Sequence, residues 1–393
     1  MKKYLFLASL MLSSAALFTA CGSDDDPKTD PSEEVITIES LDYTNAYRAS
    51  WNNYMNQVAK LLKKDAHDLH EAWTYSYKSG DAFRETFSNH NGNGYNSATD
   101  CIDAIVEAMA DIASEVGDSK IGGPADEWAQ GNKKAAVLQV ESWYSWHSID
   151  DYTNNIRSIR NAYYGKYFGE SEKVAIQAGS MAQLMNTNFP LDHTDIVAAI
   201  DAAIAAIQAI PAPFRNHIAS EKVTAAIEAC ATLEGLLTNT LLPDMRRLTE
   251  RNEAAVNTMI TNYVNNVVVP TYEDLDNKVS ALAKAVENFI AAPSDAGFKT
   301  LANAWMAARR PWESSEAFLF GPVDELQLDP NMDSWPLDQD GIENNIKAGN
   351  FDNINWTDGD DDDDIEAAQN LRGFHTLEFL IFKDGKARTI VAE

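Results

Sequence analysis

Apolar residues recur along most of the chain with the spacing of a helical face. Tyr43, Tyr47, Trp51, Tyr54, Val58 and Leu61 follow one another at intervals of 4, 4, 3, 4 and 3 residues, which lays one stripe along a helix. Ile196, Ile200, Ile204 and Ile207 repeat the pattern, with Asp192 or Thr194 placed to cap it and Pro211 to stop it. Leu275, Val279, Leu282, Val286 and Phe289 do so again, after the capping-box-like Thr271-Tyr272-Glu273-Asp274 and before Pro293. Glu366 to Phe382 contains no proline and reads as one further helix. No run of period-two alternation with hairpin turns stands out. The pattern predicts an all-α protein of two helical-bundle units packed together, 39–269 and 270–393, divided at Val267-Val268-Val269-Pro270.

Two breaks interrupt the helical pattern. Asn89 to Gly94 is rich in turn residues. The second, 321–364, is rich in Pro, Asp, Asn and Gly and predicts a long loop. Its run Asp360–Asp364 lacks the alternating ligand spacing of a calcium loop and reads as a solvated acidic turn.

The first residues have a different character. Met1-Lys2-Lys3 precedes an apolar stretch from Tyr4 to Leu17, then Phe18-Thr19-Ala20 and Cys21. A positive start, a short apolar core and small residues before a cysteine predict a secretory signal at 1–20 and lipidation at Cys21. The apolar stretch is too short to span a bilayer as a stable helix. Residues 21–38 then read as a tether, and Gly22-Ser23-Asp24-Asp25-Asp26 resembles the acidic surface-export tag of Bacteroidetes lipoproteins. The expected location is the outer membrane, lipid-anchored and facing the cell surface, or otherwise the periplasm.

A formal net charge of −29 argues against nucleic acid or anionic lipid headgroups as partners and favours cations. Besides Cys21 only Cys101 and Cys230 remain, both in helix-patterned segments, and they are expected as buried free thiols.

The candidate chemistry centres on Gly373-Phe374-His375-Thr376-Leu377-Glu378. On a helix His375 and Glu378 share a face, offering a nitrogen and an oxygen ligand to a divalent metal, or forming a hydrogen bond within a core. Two ligands alone make an incomplete site. His67 and His70 also lie three apart, but Thr74 stands where a zincin would carry its second histidine, so this pair reads as a solvated face.

Taken together, these segments resemble the imelysin family. Its GxHxxE motif stands here as Gly373, His375 and Glu378, followed by Phe379-Leu380-Ile381-Phe382. A second block carries Trp305, Arg309, Pro311, Trp312, Glu313, Glu316, Phe318, Phe320, Gly321 and Pro322. A third runs from Glu141-Ser142-Trp143-Tyr144-Ser145 through Ser148, Asp151 and Asn155 to Tyr164-Gly165, and Trp335-Pro336-Leu337 fits a family loop. The blocks stand in reverse of the usual family order, as in a circular permutation.

The resemblance implies two related helical bundles with a site between them. It implies metal ligands at His375, Glu378, Glu316 and Glu141, and a ligand pocket at Arg309, Ser145 and Asp151. The implied cofactor is a divalent metal, iron or zinc. The implied role is metal binding in iron acquisition, with an outer-membrane uptake protein or a peptide as further partner. Two alternatives follow from the same residues: a metallopeptidase, which would need three protein ligands, an open position and a general base, and a metal-free pocket for a peptide or glycan.

Overall fold

The computed structural model describes residues 34–392 apart from 170, 172 and 358, so the expected signal segment, Cys21 and most of the expected tether lie outside the described residues. Almost every described element is helical, and Ser32–Glu393 form one compact unit. The long helices are α1 (Arg48–Thr74), α2 (Ala98–Ser114), α3 (Ser148–Tyr164), α4 (Pro190–Gln208) and α5 (Glu221–Leu236). They continue with α6 (Leu242–Tyr263), α7 (Val269–Ala291), α8 (Asp295–Glu313) and the short α9 (Gly373–Ile381). A two-residue hairpin, Phe382–Lys383 against Lys386–Ala387, follows α9.

Of the stripe read along α1, Trp51, Tyr54 and Val58 lie in the core, with Tyr47 and Leu61 half-buried at its edge, where α1 packs on α7 and α7 on α8. Each fully buried side chain contributes roughly 1.5–3 kcal/mol by leaving water. α4 starts at Pro190, earlier than either expected cap, because the fixed φ of proline suits a first helical turn. Thr271 opens no helix. A π-helical stretch, Val264–Val268, joins α6 to α7, and the Thr271 hydroxyl donates back to the Val267 carbonyl at 2.7 Å. The expected division near 269 therefore falls in continuous helical backbone.

Segment 321–364 is not a structureless loop. It carries short helices at Pro322–Glu325, Leu328–Asp333 and Gln339–Ala348, the last capped by the Asp338 side chain accepting from Gly341 N–H and anchored by buried Ile342 and Ile346. The single helix expected from Glu366 to Phe382 is two, Asp362–Gln369 and α9, broken at Gly373. Gly373 has φ +81°, and a Cβ there would meet the Met332 carbonyl oxygen at 2.4 Å. Only glycine allows both the left-handed backbone and this approach.

Three aromatic donors hold α9 in register. Tyr54 donates to Leu371 O at 2.7 Å, Trp305 Nε1 to Phe374 O at 2.9 Å and Trp51 Nε1 to Leu380 O at 3.2 Å. The last bond occupies a carbonyl at the end of α9 that has no partner within the helix. The GxHxxE segment is thus clamped between α1 and α8, with every residue from Gly373 to Ile381 buried.

Candidate metal centre

Four parts of the chain converge on one buried polar cluster. α8 presents Trp305, Arg309 and Glu313 four residues apart, hence on one face. α3 presents Asp151, Asn155 and Ser158, a polar stripe on a helix that is otherwise packed. The turn before α3 supplies Glu141, Ser142 and Ser145, with Ser142 at φ +51° and Trp146 at φ +65°. Left-handed backbone at two non-glycine residues costs energy, and such strain gathers where a chain must aim particular groups. Here the strained turn places the Glu141 carbonyl to accept from the Ser148 hydroxyl at 2.5 Å, and its carboxylate to face Arg309.

Arg309, 1% exposed, is the hub. Nη2 meets Glu141 Oε1 at 2.5 Å and Glu313 Oε1 at 2.6 Å, Nε meets Asp151 Oδ2 at 3.4 Å, and Nη1 pairs with Asp333. The carboxylates are also held from behind. Ser142 donates to Asp151 at 2.5 Å, Asn155 to Glu313 at 2.6 Å and Trp312 Nε1 to Asp333 at 2.6 Å.

His375, fully buried, presents its two nitrogens to different neighbours. Nε2 lies 3.1 Å from Asp333 Oδ1 and 3.6 Å from Glu141 Oε1, while Nδ1 lies 3.1 Å from Glu378 Oε2. The other oxygen of Glu378 accepts from the Ser145 backbone N–H at 2.8 Å. Glu378 thereby orients the ring and leaves Nε2 for the cluster. Ligand atoms of Glu141, Asp333 and His375 lie within 4.8 Å of one another, as do those of Glu313, Glu316 and Asp333.

One side of the cluster opens on a cavity of about 240 Å³, lined by Glu115, Lys120, Glu141, Glu316, Asp329 and Asp333, with Trp335 as an apolar wall. The Trp335 ring stands 4.6 Å from that of His375. Lys120 arrives on a π-helical extension of α2, Glu115–Gly122, and its ammonium sits 3.1 Å from Glu141 Oε2.

This environment splits the ionisations. Burial pushes the carboxyls of Glu313 and Glu316 well above the usual range, with Arg309 offsetting part of the effect for Glu313 and Lys120 for Glu316. Burial likewise raises Asp151 to about 6 and Asp329 to about 7. For Glu141 and Asp333 burial is outweighed by the neighbouring cations, Lys120 first for Glu141 and Arg309 first for Asp333, and both acids are lowered. Burial and Arg309 oppose protonation of His375, but Asp333 and Glu141 prevail and raise it well above its ordinary value.

Of the residues expected at the site, His375 and Glu141 meet directly, Arg309 and Asp151 join them, and Glu316 stands in the cavity beside Glu313. Glu378 lies behind the histidine, and Ser145 enters through its backbone N–H, its hydroxyl donating instead to the Ser142 carbonyl at 3.2 Å. Asp333 and Lys120 were missed. Asp333 lies in the segment read as a loop, and Lys120 on a helix extension with no motif around it. Trp335-Pro336, two residues beyond Asp333, was the nearest signal. His67 and His70 lie apart from the site and share Asp276 Oδ2 at 3.0 and 3.2 Å.

The fold and site define an all-α protein with a buried carboxylate–histidine–arginine cluster opening on an acidic cavity. Its sequence matches the family model for imelysin over residues 23–240 and 268–392, and the chain belongs to the imelysin family. It is similar to a solved imelysin peptidase from Bacteroides ovatus, at 48% identity and a TM-score of 0.85, covering 89% of this chain and 99% of that one. A stretch of 127 residues is 32% identical to iron-regulated protein A of Synechococcus elongatus and spans 32% of each chain. A structure of a putative iron-regulated protein A precursor from Parabacteroides distasonis aligns over 45% of this chain and 51% of that one, at 34% identity and a TM-score of 0.42.

Proposed function

We propose that the protein captures a transition-metal cation, iron foremost, at the Glu141–Asp333–His375 group, in which Glu141 and Asp333 line the cavity and His375 stands behind them, and does so as a lipoprotein anchored through Cys21 in the service of iron acquisition. The observation that carries this reading is the convergence of one imidazole and two carboxylates, contributed by three separate segments, within 4.8 Å of one another beside the cavity. A mixed nitrogen and oxygen set suits iron or zinc. The Glu378–His375 pair supplies the outer support that metal-binding histidines commonly have. The name of the iron-regulated relative from Synechococcus elongatus and the −29 net charge point the same way.

The test is metal analysis of the soluble form starting after Cys21, loaded with iron or zinc and desalted. The expected result is bound metal, with at least one equivalent lost in His375→Ala. Equal metal content in wild type and His375→Ala would overturn the reading. For the anchor, Cys21→Ala should move the full-length protein from the membrane to the soluble fraction.

The geometry gives the peptidase reading less. Glu378, the acid of the GxHxxE motif, is 0% exposed, held by Ser145 and His375, and does not line the cavity, so it is not placed to activate a water there.

A further inference from the structure

Glu316 has an environment unlike that of the four acids gathered round Arg309. It is 6% exposed and lines the cavity, yet among the described residues its carboxylate has no hydrogen-bond or ion-pair partner. Glu141, Asp151, Glu313 and Asp333 each face the Arg309 guanidinium. A buried carboxylate without a partner is unfavourable unless a proton or a cation joins it. Five carboxylates line the cavity, those of Glu115, Glu141, Glu316, Asp329 and Asp333, and among the described lining residues only the Lys120 ammonium opposes them.

Beside Glu316, Glu313 and Asp333 offer oxygens that lie within 4.8 Å of its own. Glu313 Oε1 approaches Arg309 Nη2 at 2.6 Å without hydrogen-bond geometry, so this oxygen keeps lone pairs to give. We infer that the cavity holds a second cation position, formed by Glu313, Glu316 and Asp333, with Asp333 shared between it and the position at His375. Its donors are all carboxylate oxygens, which favour a hard cation such as Mn²⁺ and accept ferrous iron less selectively than a site with imidazole does. The protein would then take up a pair of cations side by side. This second position rests on the reading of the first only through the shared Asp333.

The test is the stoichiometry of Mn²⁺, and of Fe²⁺ under anaerobic conditions, bound to the mature chain after desalting. Wild type is expected to hold two equivalents, Glu316→Gln one and His375→Ala one. Wild type holding one equivalent, kept in Glu316→Gln and lost in His375→Ala, overturns the second position and leaves the first standing. One equivalent kept in His375→Ala and lost in Glu316→Gln overturns the paired arrangement and the site proposed at His375 instead. No bound metal overturns both. The wild-type stoichiometry decides the matter even if Glu316→Gln fails to fold.

Discussion

Asp333 Oδ1 lies 3.1 Å from Nε2 of His375, while the opposite nitrogen of the ring faces Glu378 at the same distance. One imidazole thus joins a carboxylate that opens on the cavity to one sealed behind it. This division of roles separates Asp333 from Glu378 experimentally. Asp333→Asn should remove bound metal. Glu378→Gln should keep the metal stoichiometry and weaken affinity by about 10–100-fold, the usual cost of losing a ligand's orienting partner. Equilibrium dialysis against a competing chelator reads both.

Arg309 carries the charge balance of the metal-free cluster. Arg309→Met would leave several buried carboxylates facing one another, and breaking such a buried pair costs about 3–5 kcal/mol. Urea denaturation should show that loss in the presence of chelator. Added metal should restore part of it, because a bound cation replaces the lost positive charge.

The pH dependence has a definite sign. Asp151, at about 6, and Asp329, at about 7, titrate above ordinary carboxylates, so they bind more protons folded than unfolded. Their contribution to stability is present below the usual carboxylate range and is lost as pH rises through 6 to 7. His375, raised above its ordinary value, acts in the same direction, present below the usual histidine pKa and lost at higher pH. Glu141 and Asp333, which are lowered, lose their contribution only in more acidic solution. The metal-free protein should therefore be more stable at pH 5 than at pH 8 in urea titrations. Metal competes with the same protons, so its affinity should rise across that window, with proton release measurable by calorimetry in buffers of different ionisation enthalpy.

Gly373→Ala tests the clamp on α9. A Cβ at φ +81°, pressed 2.4 Å from Met332 O, should cost at least about 1–3 kcal/mol from the backbone alone. Because Met332 adjoins Asp333, metal affinity should fall together with stability. An unchanged denaturation midpoint would show that the glycine is not needed for this approach.

Much of this was written in the sequence. The apolar periodicity of α1, α4 and α7 identifies a helical protein, because burying a stripe at helical spacing is a local requirement visible residue by residue. The GxHxxE, Trp-Arg and Glu-Ser blocks point to His375, Arg309, Glu141 and Asp151 through family resemblance alone. What the tertiary structure alone decided is which charges meet. Asp333 reaches His375 across more than forty residues of chain, Lys120 enters from a helix extension without a motif, and the packing decides between the two readings of Glu378, leaving it bonded to the histidine and away from the cavity. The break before α9 is marked in the sequence only by Gly373, and its left-handed backbone close to the Met332 carbonyl is a matter of packing. Periodicity records what each segment must bury. Pairings between distant charges depend on how the segments pack, and sequence spacing does not encode that.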